Sequence, residues 1–226
     1  MLRIAFVLLA VWNLSAMSYH TNFPAAENPI SQGGKWLNGA VDGVDWCNVQ
    51  TSVGYAWGVG PCPVEYADPT AVLKGEWGPN QVVQATAKIG TVNPTYWQEI
   101  ELRLRTRVSP HRITGYEVIF AVSHDYVQIV RWNGPLADFT YLGSTCNYPE
   151  VCGKVNGFTI QNGDVARAVI SGNTIKAYVN GVLLAIATDT TFADGNPGVG
   201  YNFGCDGTYS NAGWTNFEAT DSLPEK

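Results

Sequence analysis

One stretch of the chain, YWQEIELRLRTRV at residues 96–108, holds the residue types best suited to chemistry. Side chains of a strand alternate between two faces. One face here carries Trp97, Glu99, Glu101, Arg103, Arg105 and Arg107, and the other carries Ile100, Leu102, Leu104 and Val108. An indole stacks on the apolar side of a sugar ring, while Glu and Arg hydrogen-bond its hydroxyl groups. We therefore predict a sugar-binding groove; a surface ladder of ion pairs is the alternative.

Aromatic residues of the following strands extend this candidate groove. Tyr116 and Tyr126 are possible additions from neighbouring strands, and His124 lies in the turn between them, where a solvated histidine is the expectation. Trp132 is expected to pack in the core, with a turn at residues 133–135. The predicted ligand-binding set is Trp97, Glu99, Glu101, Arg103, Arg105, Tyr116 and Tyr126.

The elements that must position these residues are short and extended. About eleven alternating runs separated by Gly, Asn and Pro follow residue 45, and helical periodicity is almost absent. Gly172-Asn173 and Asn180-Gly181 predict tight turns between runs at 164–170, 174–180 and 182–188. So many strands cannot stay in one flat open sheet. We predict an all-β fold, an antiparallel two-sheet jelly-roll sandwich whose apolar faces meet between the sheets.

The charge balance and the N-terminal segment indicate an exported protein. The chain has 226 residues, with 19 acidic and 13 basic side chains and a formal net charge of −6, which argues against nucleic acid as a partner. Residues 1–18 combine a basic start at Arg3, an apolar run and small residues at the end, the pattern of a signal peptide. We expect cleavage near Ser18, secretion, no membrane span and one domain over residues 19–226.

Five cysteines fit this export pattern: Cys47, Cys62, Cys146, Cys152 and Cys205. Their spacing favours Cys47–Cys62 and Cys146–Cys152 disulfides and leaves Cys205 over, although the sequence alone does not fix the connectivity. Zinc is not expected, because there is no CxxC pair and the histidines are not adjacent to the cysteines in sequence.

Residues 80–221 resemble a known superfamily. The hairpin GNTIKAYVNGVLLAIATD, followed by GNPGVGYNF and WTNFEATD, is similar to the closing half of the concanavalin A-like lectin and glucanase superfamily, particularly its laminin G-like members. The run from YEVIF to YVQIVRWNGPLADFTYL is similar to exported proteins of this kind. The resemblance implies a jelly roll, and it leaves lectins, carbohydrate-binding modules, glycoside hydrolases and polysaccharide lyases as function classes.

Enzymes of this superfamily supply two alternatives for the same groove. Glu99-Ile100-Glu101 resembles the opening of the Glu-x-Asp-x-(x)-Glu strand of laminarinase-like hydrolases, but arginines occupy the next outward positions. Glu101-Leu102-Arg103 partly resembles the Arg-x-Glu-Leu-Arg strand of alginate-lyase-like members, whose other motifs are missing. The catalytic candidates in either enzyme are Glu99, Glu101 and Arg103, and in a lyase an arginine neutralises the uronate carboxylate.

The resemblance also implies a cofactor. Many sandwiches of this superfamily hold a structural calcium ion between a carboxylate near the start of the domain and one near its end. Glu27 and Asp221 occupy such positions, with solvent exposure as the alternative. No other cofactor is expected.

Together these observations predict an exported, monomeric domain that binds a polysaccharide or oligosaccharide. A polysaccharide lyase or retaining glycoside hydrolase acting at the same groove is the second hypothesis. A structural or adhesive domain is the third, favoured by the absence of a complete catalytic motif.

Overall fold

The computed structural model describes residues 16–60, 67–203 and 209–222. These residues form eighteen strands and two short helical turns, Gly39–Gly43 and Tyr209–Asn211. The strands are β1 (Ser18–Thr21), β2 (Trp36–Asn38), β3 (Val49–Ser52), β4 (Tyr55–Gly58), β5 (Thr70–Leu73), β6 (Gln81–Ile89), β7 (Glu99–Ser109), β8 (Arg112–Ala121), β9 (Tyr126–Gly134), β10 (Phe139–Tyr141), β11 (Thr145–Asn147), β12 (Lys154–Asn156), β13 (Val165–Ser171), β14 (Thr174–Val179), β15 (Val182–Thr188), β16 (Asn196–Asn202), β17 (Ala212–Trp214) and β18 (Phe217–Thr220). Within these ranges, no helix has the length and apolar character needed to cross a membrane.

The strands form two nine-stranded sheets. Sheet one has the order β15-β14-β13-β6-β17-β4-β3, with β18 also paired to β6 and β1 paired to β18. Sheet two has the order β11-β12-β9-β8-β7-β16-β5-β2, with β10 also paired to β9. The β11–β12 pair is parallel, whereas β7 pairs antiparallel with both β8 and β16. The predicted all-β, antiparallel two-sheet sandwich is therefore confirmed.

The hairpin turns follow the sequence closely. β14 and β15 meet at Asn180 and Gly181, whose φ angles are 50° and 79°. Positive φ at both central residues is the requirement of a type I′ turn, which Asn-Gly meets at low cost. The turn between β13 and β14 likewise has Gly172 at a φ of 55°.

The core lies between the two sheets, as the alternation predicted. Ile100, Leu102 and Leu104 of β7 are fully buried in it, together with Phe120 of β8 and Ile175 of β14. Burial of each such side chain stabilises the fold by about 1.5–3 kcal/mol relative to exposure. The even-numbered side chains at this part of β7 therefore pack between the two sheets.

A second apolar cluster covers part of the opposite, outer face of sheet two. It contains Trp46, Ile113, Ile119, Ala121, Tyr126, Val130 and Trp132. Trp46 follows the helical turn Gly39–Gly43 and contacts Trp132 edge to face, with ring centroids 5.9 Å apart. Trp132 is thus buried, as expected, but on the outer side of the sheet and not between the sheets.

The disulfide between Cys146 and Cys152 is confirmed, with Cα atoms 6.1 Å apart. Cys47 is also disulfide-bonded, whereas Cys62 and Cys205 lie outside the described residues. Residues 1–15 of the predicted signal peptide lie outside them as well. The amide of Met17 donates to Asp221 and Ser18 is the first residue of β1, so the predicted cleavage position falls at the edge of the described fold.

Candidate functional site

Strand β7 presents its odd-numbered side chains on the outer face of sheet two. Glu101 pairs across the sheet with Gly200 of β16, and Arg103 pairs with Glu117 of β8. A Cβ atom at Gly200 would lie 2.6 Å from Nε of Arg103 and would also meet the Glu101 carboxylate. The missing side chain on β16 therefore provides the room that these two long side chains occupy.

Arg103 is the centre of a buried ion cluster. Its Nη2 lies 2.7 Å from Asp68, 2.8 Å from Glu117 and 3.2 Å from Glu101. Trp132 Nε1 donates to the same Glu117 oxygen at 2.8 Å, and the Arg103 guanidinium lies 5.5 Å from the Trp132 ring centroid. Arg103 has no solvent-accessible side-chain surface. A surface ladder of ion pairs does not describe this face, because its central charges are buried.

A pocket of about 200 Å³ opens above this cluster; we call it the outer pocket. Carboxyl groups line one part of it, aromatic rings line another, and a few polar side chains complete the wall. The lining residues include Asp68, Glu99, Glu101 and Glu117, the rings of Trp97, Tyr126, Trp132, Phe139 and Tyr141, and the polar residues Gln128, Lys154 and Asn202. Rings beside convergent polar groups are the usual composition of a small-ligand site.

Glu99 is fixed at the wall of the outer pocket by two donors. The hydroxyl of Tyr126 donates to one carboxyl oxygen, and Nδ2 of Asn202 donates to the other at 2.9 Å. Burial raises the pKa of Glu99 to about 8, with Glu117 and Asp68 adding to the effect while the Asn202 bond opposes it. Burial also raises the pKa of Glu101 well above its ordinary range. Burial and crowding thus favour the neutral, protonated form of both carboxyl groups.

Trp97 forms an aromatic platform at the mouth of the pocket. Its side chain is 52% exposed, and its ring stacks on His124 with centroids 3.8 Å apart and planes 23° apart. The hydroxyl of Ser123 accepts the Gln98 amide at 2.9 Å and donates to the Tyr96 carbonyl at 2.7 Å. These bonds hold the backbone on both sides of Trp97, so the exposed indole is already oriented.

Solved structures share this architecture. The carbohydrate-binding module CBM66 from Bacillus subtilis matches with a TM-score of 0.54 and 12% identity, over 85% of this chain and 96% of that one. The Ca²⁺/Man3GlcNAc-bound exoplasmic/lumenal domain of VIP36 matches with a TM-score of 0.57 and 10% identity, over 89% and 92%. The potassium-bound carbohydrate recognition domain of Emp46p matches with a TM-score of 0.53 and 9% identity, over 91% and 100%.

The fold is a concanavalin A-like jelly roll. No protein-family model and no curated protein matches the sequence. At identities of 12% and below, these structural neighbours establish the fold of this chain but not the function of its site.

Within this concanavalin A-like jelly roll, four of the predicted ligand-binding residues line the outer pocket: Trp97, Glu99, Glu101 and Tyr126. Arg103 lies beneath them and contacts Glu101. The catalytic candidates Glu99, Glu101 and Arg103 are therefore close together, but Arg103 is held by three carboxylates and is not a free cation at the pocket surface.

Arg105 lies away from the pocket, contrary to its predicted position. The β7–β8 register shifts between Leu104 and Arg107, and Arg105 takes a φ of 46°. This bulge turns its guanidinium toward the backbone carbonyls of Pro79, Phe192 and Gly172, at 2.6–2.9 Å. Arg105 therefore ties three loops together.

Tyr116 also lies outside the pocket, because it shares the core-facing side of β8 with Val118 and Phe120. Its hydroxyl donates to Asp189 at 2.8 Å and accepts the Phe192 amide at 3.0 Å. Its predicted place in the groove is therefore corrected by strand parity.

The predicted calcium ligands do not fit a shared metal site. Glu27 accepts the backbone amides of Ser31 and Gln32, and Asp221 accepts those of Met17 and Gly78. Glu27 thus closes a local turn, whereas Asp221 links two segments that are distant from it in sequence.

Among the described residues, one acidic group has oxygens close enough to hold an ion, namely Asp68, Glu101 and Glu117. Arg103 already supplies a positive charge to all three. These residues therefore satisfy one another without a metal.

Three residues of the pocket wall were not predicted from the sequence: Glu117, Asn202 and Asp68. Glu117 alternates with the core residues of β8, so the hairpin register would have placed it opposite Arg103. Asn202 similarly pairs with Glu99 across β7 and β16. Asp68 carried no such signal, since it lies before β5 and reaches Arg103 only through the tertiary fold.

Proposed function

We propose that this protein binds carbohydrate in the outer pocket. The observation that carries the proposal is the half-exposed, pre-oriented indole of Trp97 at the mouth of a pocket lined by hydrogen-bonding carboxyl and amide groups. A sugar ring has an apolar side that stacks on an indole and hydroxyl groups that donate and accept hydrogen bonds. The concanavalin A-like fold, shared with a carbohydrate-binding module and with lectin domains, supports the same assignment.

We further propose that the protein is secreted as a monomer after loss of a signal peptide. The Cys146–Cys152 disulfide supports this, because such bonds persist in oxidising compartments. The composition, with a net charge of −6, supports a polysaccharide or oligosaccharide partner over nucleic acid. N-terminal sequencing of the exported protein and light scattering of the purified protein test these two statements.

Hydrolysis of a glycan is the second candidate, and Glu99 is the observation that favours it. A general acid must hold its proton at working pH, and the pKa of Glu99 is raised to about 8. The structure favours a lyase less. A lyase needs an arginine to neutralise the uronate carboxylate, and Arg103 already contacts Asp68, Glu101 and Glu117.

The test is binding and turnover on one panel of glycans. The purified protein is titrated by calorimetry with neutral and uronate-containing oligosaccharides, while reducing ends and absorbance at 235 nm are followed in parallel. Binding without either signal supports a lectin-like function. New reducing ends that disappear in Glu99→Gln support hydrolysis, and absorbance at 235 nm supports a lyase.

Variants at the platform make the test specific to the outer pocket. Trp97→Ala is expected to weaken binding at least about fivefold, since loss of an aromatic stack is worth roughly 1 kcal/mol or more, while Trp97→Phe keeps part of the affinity. Tyr178→Ala, on the outer face of sheet one, is the matched control and should bind as the unmodified protein does. Full affinity in Trp97→Ala would show that the site is elsewhere.

A further inference from the structure

We propose that the outer pocket selects uncharged sugars and excludes anionic ones such as uronates and sulfated sugars; this inference rests on the proposed carbohydrate-binding function. Its basis is that the one arginine at the pocket is already neutralised from within the protein. The class of sugar that can bind is then set by the charged side chains that a ligand in the pocket can contact.

Arg103 is not placed to receive a ligand anion. Its side chain has no exposed surface, and its Nη2 already lies 2.7–3.2 Å from three carboxylates. Recognition of a ligand carboxylate by arginine uses a fork of donors pointing at the ligand. To reach a uronate, Arg103 would have to release Asp68 or Glu117 and leave a buried carboxylate without its counterion, which is strongly unfavourable.

The other groups at the pocket offer an anion little attraction. Asp68, Glu99, Glu101 and Glu117 all line it. Lys154 is the cation among the described residues that line the pocket, and its ammonium lies over the Tyr126 ring at 4.6 Å from the centroid. A ligand carboxylate would therefore meet a wall of carboxyl groups whose buried counterion, Arg103, is already paired within the protein. The raised pKa values of Glu99 and Glu101 reflect the same burial and crowding.

Neutral hydroxyl groups suit this wall. A protonated Glu99 or Glu101 both donates and accepts hydrogen bonds, as does a sugar hydroxyl. The amide of Gln128, which also lines the pocket, adds a donor and an acceptor. A volume of about 200 Å³ lies below the roughly 300–1,000 Å³ typical for drug-sized ligands. The pocket thus fits a sugar residue and offers it neutral partners.

The experiment compares matched glycans that differ only in charge. Polygalacturonate, alginate and glucuronan oligomers are measured against their carboxyl-reduced, neutral counterparts by calorimetry at two salt concentrations, beside a panel of neutral oligosaccharides. We expect the neutral member of any pair that binds to be at least about tenfold tighter, because moving a ligand charge from water into a partly buried site without a counterion costs more than the 1.4 kcal/mol equivalent to tenfold. Higher salt should narrow the difference only in part.

Two variants check that charge is the cause. Lys154→Gln removes the partly buried cation and should widen the preference for neutral glycans, while Glu117→Gln removes a carboxylate and should narrow that preference. If Glu117→Gln fails to fold, the Lys154→Gln comparison still decides the matter.

The possible outcomes separate the two proposals. A uronate that binds as tightly as its reduced counterpart, or more tightly, would overturn the selectivity while leaving carbohydrate binding intact. Neutral glycans that bind when no anionic one does would support it. If no glycan in either series or in the neutral panel bound, both this inference and the proposed function would fall.

Discussion

The buried carboxyl of Glu99 should make the stability of this protein decrease as the pH rises. Its pKa is raised from an ordinary value of 4.5 to about 8 in the folded chain. A group whose folded pKa lies above its unfolded pKa contributes stability that is fully present below the unfolded value and is lost as the pH rises through the folded value. The contribution of Glu99 is therefore present below about pH 4.5 and gone above about pH 8.

The magnitude follows from the size of the shift. Each pKa unit corresponds to about 1.4 kcal/mol, so the change from 4.5 to about 8 amounts to about 5 kcal/mol between the two limits. Glu99→Gln keeps the shape of the protonated carboxyl and cannot ionise. We expect the variant to be more stable than the unmodified protein by about 1 kcal/mol at pH 5, by about 3 kcal/mol at pH 7 and by about 5 kcal/mol at pH 9.

The assay is urea unfolding at intervals from pH 5 to pH 9, with the free energy of unfolding compared between the two proteins at each pH. Glu218→Gln, on an exposed position of β18, is the control for loss of one carboxyl group. A difference between Glu99→Gln and the unmodified protein that stays constant with pH would refute the reasoning. So would a variant that loses stability relative to the unmodified protein as the pH rises.

Three further predictions test the scaffold of the site. Arg103→Met leaves buried carboxylates without their counterion and should cost about 3–5 kcal/mol in urea unfolding at pH 7; no measurable loss would contradict the buried cluster. Gly200→Ala places a methyl group against Arg103 and should cost about 1–3 kcal/mol and weaken glycan binding in calorimetry. Replacing both Cys146 and Cys152 with Ser opens a short loop and should lower the thermal midpoint by an amount equivalent to about 2 kcal/mol.

The fold could be predicted from the sequence because its signals are local. Alternation places Ile100, Leu102 and Leu104 on one face of β7, and the Asn180-Gly181 turn fixes the register of a hairpin. Each signal depends on residues a few positions apart, and all of them agree. Tyr116 obeyed the same alternation, so its position on the core side of β8 was also readable from the sequence.

The site could be predicted only in part, because its environment comes from distant segments. Alternation shows that β7 has a polar face, but it does not show what covers that face. Asp68 reaches Arg103 across 35 positions of sequence, and Trp132 reaches Glu117 across 15. Arg105 does not lie on the polar face of β7, because a bulge interrupts the strand there. Strict alternation of side chains does not predict a bulge.

The buried ion cluster beneath the pocket is best explained by positioning. A buried ion pair contributes little to stability compared with well-packed neutral side chains, since each charge must first be removed from water. The cluster does, however, hold the Glu101 and Glu117 carboxyl groups at defined places on the pocket wall.

If the cluster acts by positioning, removing its charges should affect glycan affinity and the free energy of unfolding differently. The triple variant Asp68→Asn, Arg103→Met, Glu117→Gln removes the charges at these three positions and keeps Glu101, while an oxygen remains at position 117 to accept from Trp132 Nε1. Urea unfolding should show that this variant recovers most of the stability lost in Arg103→Met. Calorimetry should show that glycan affinity does not recover with it, because the wall carboxyls are no longer oriented. If affinity and stability returned together, the cluster would be a packing element with no part in shaping the pocket.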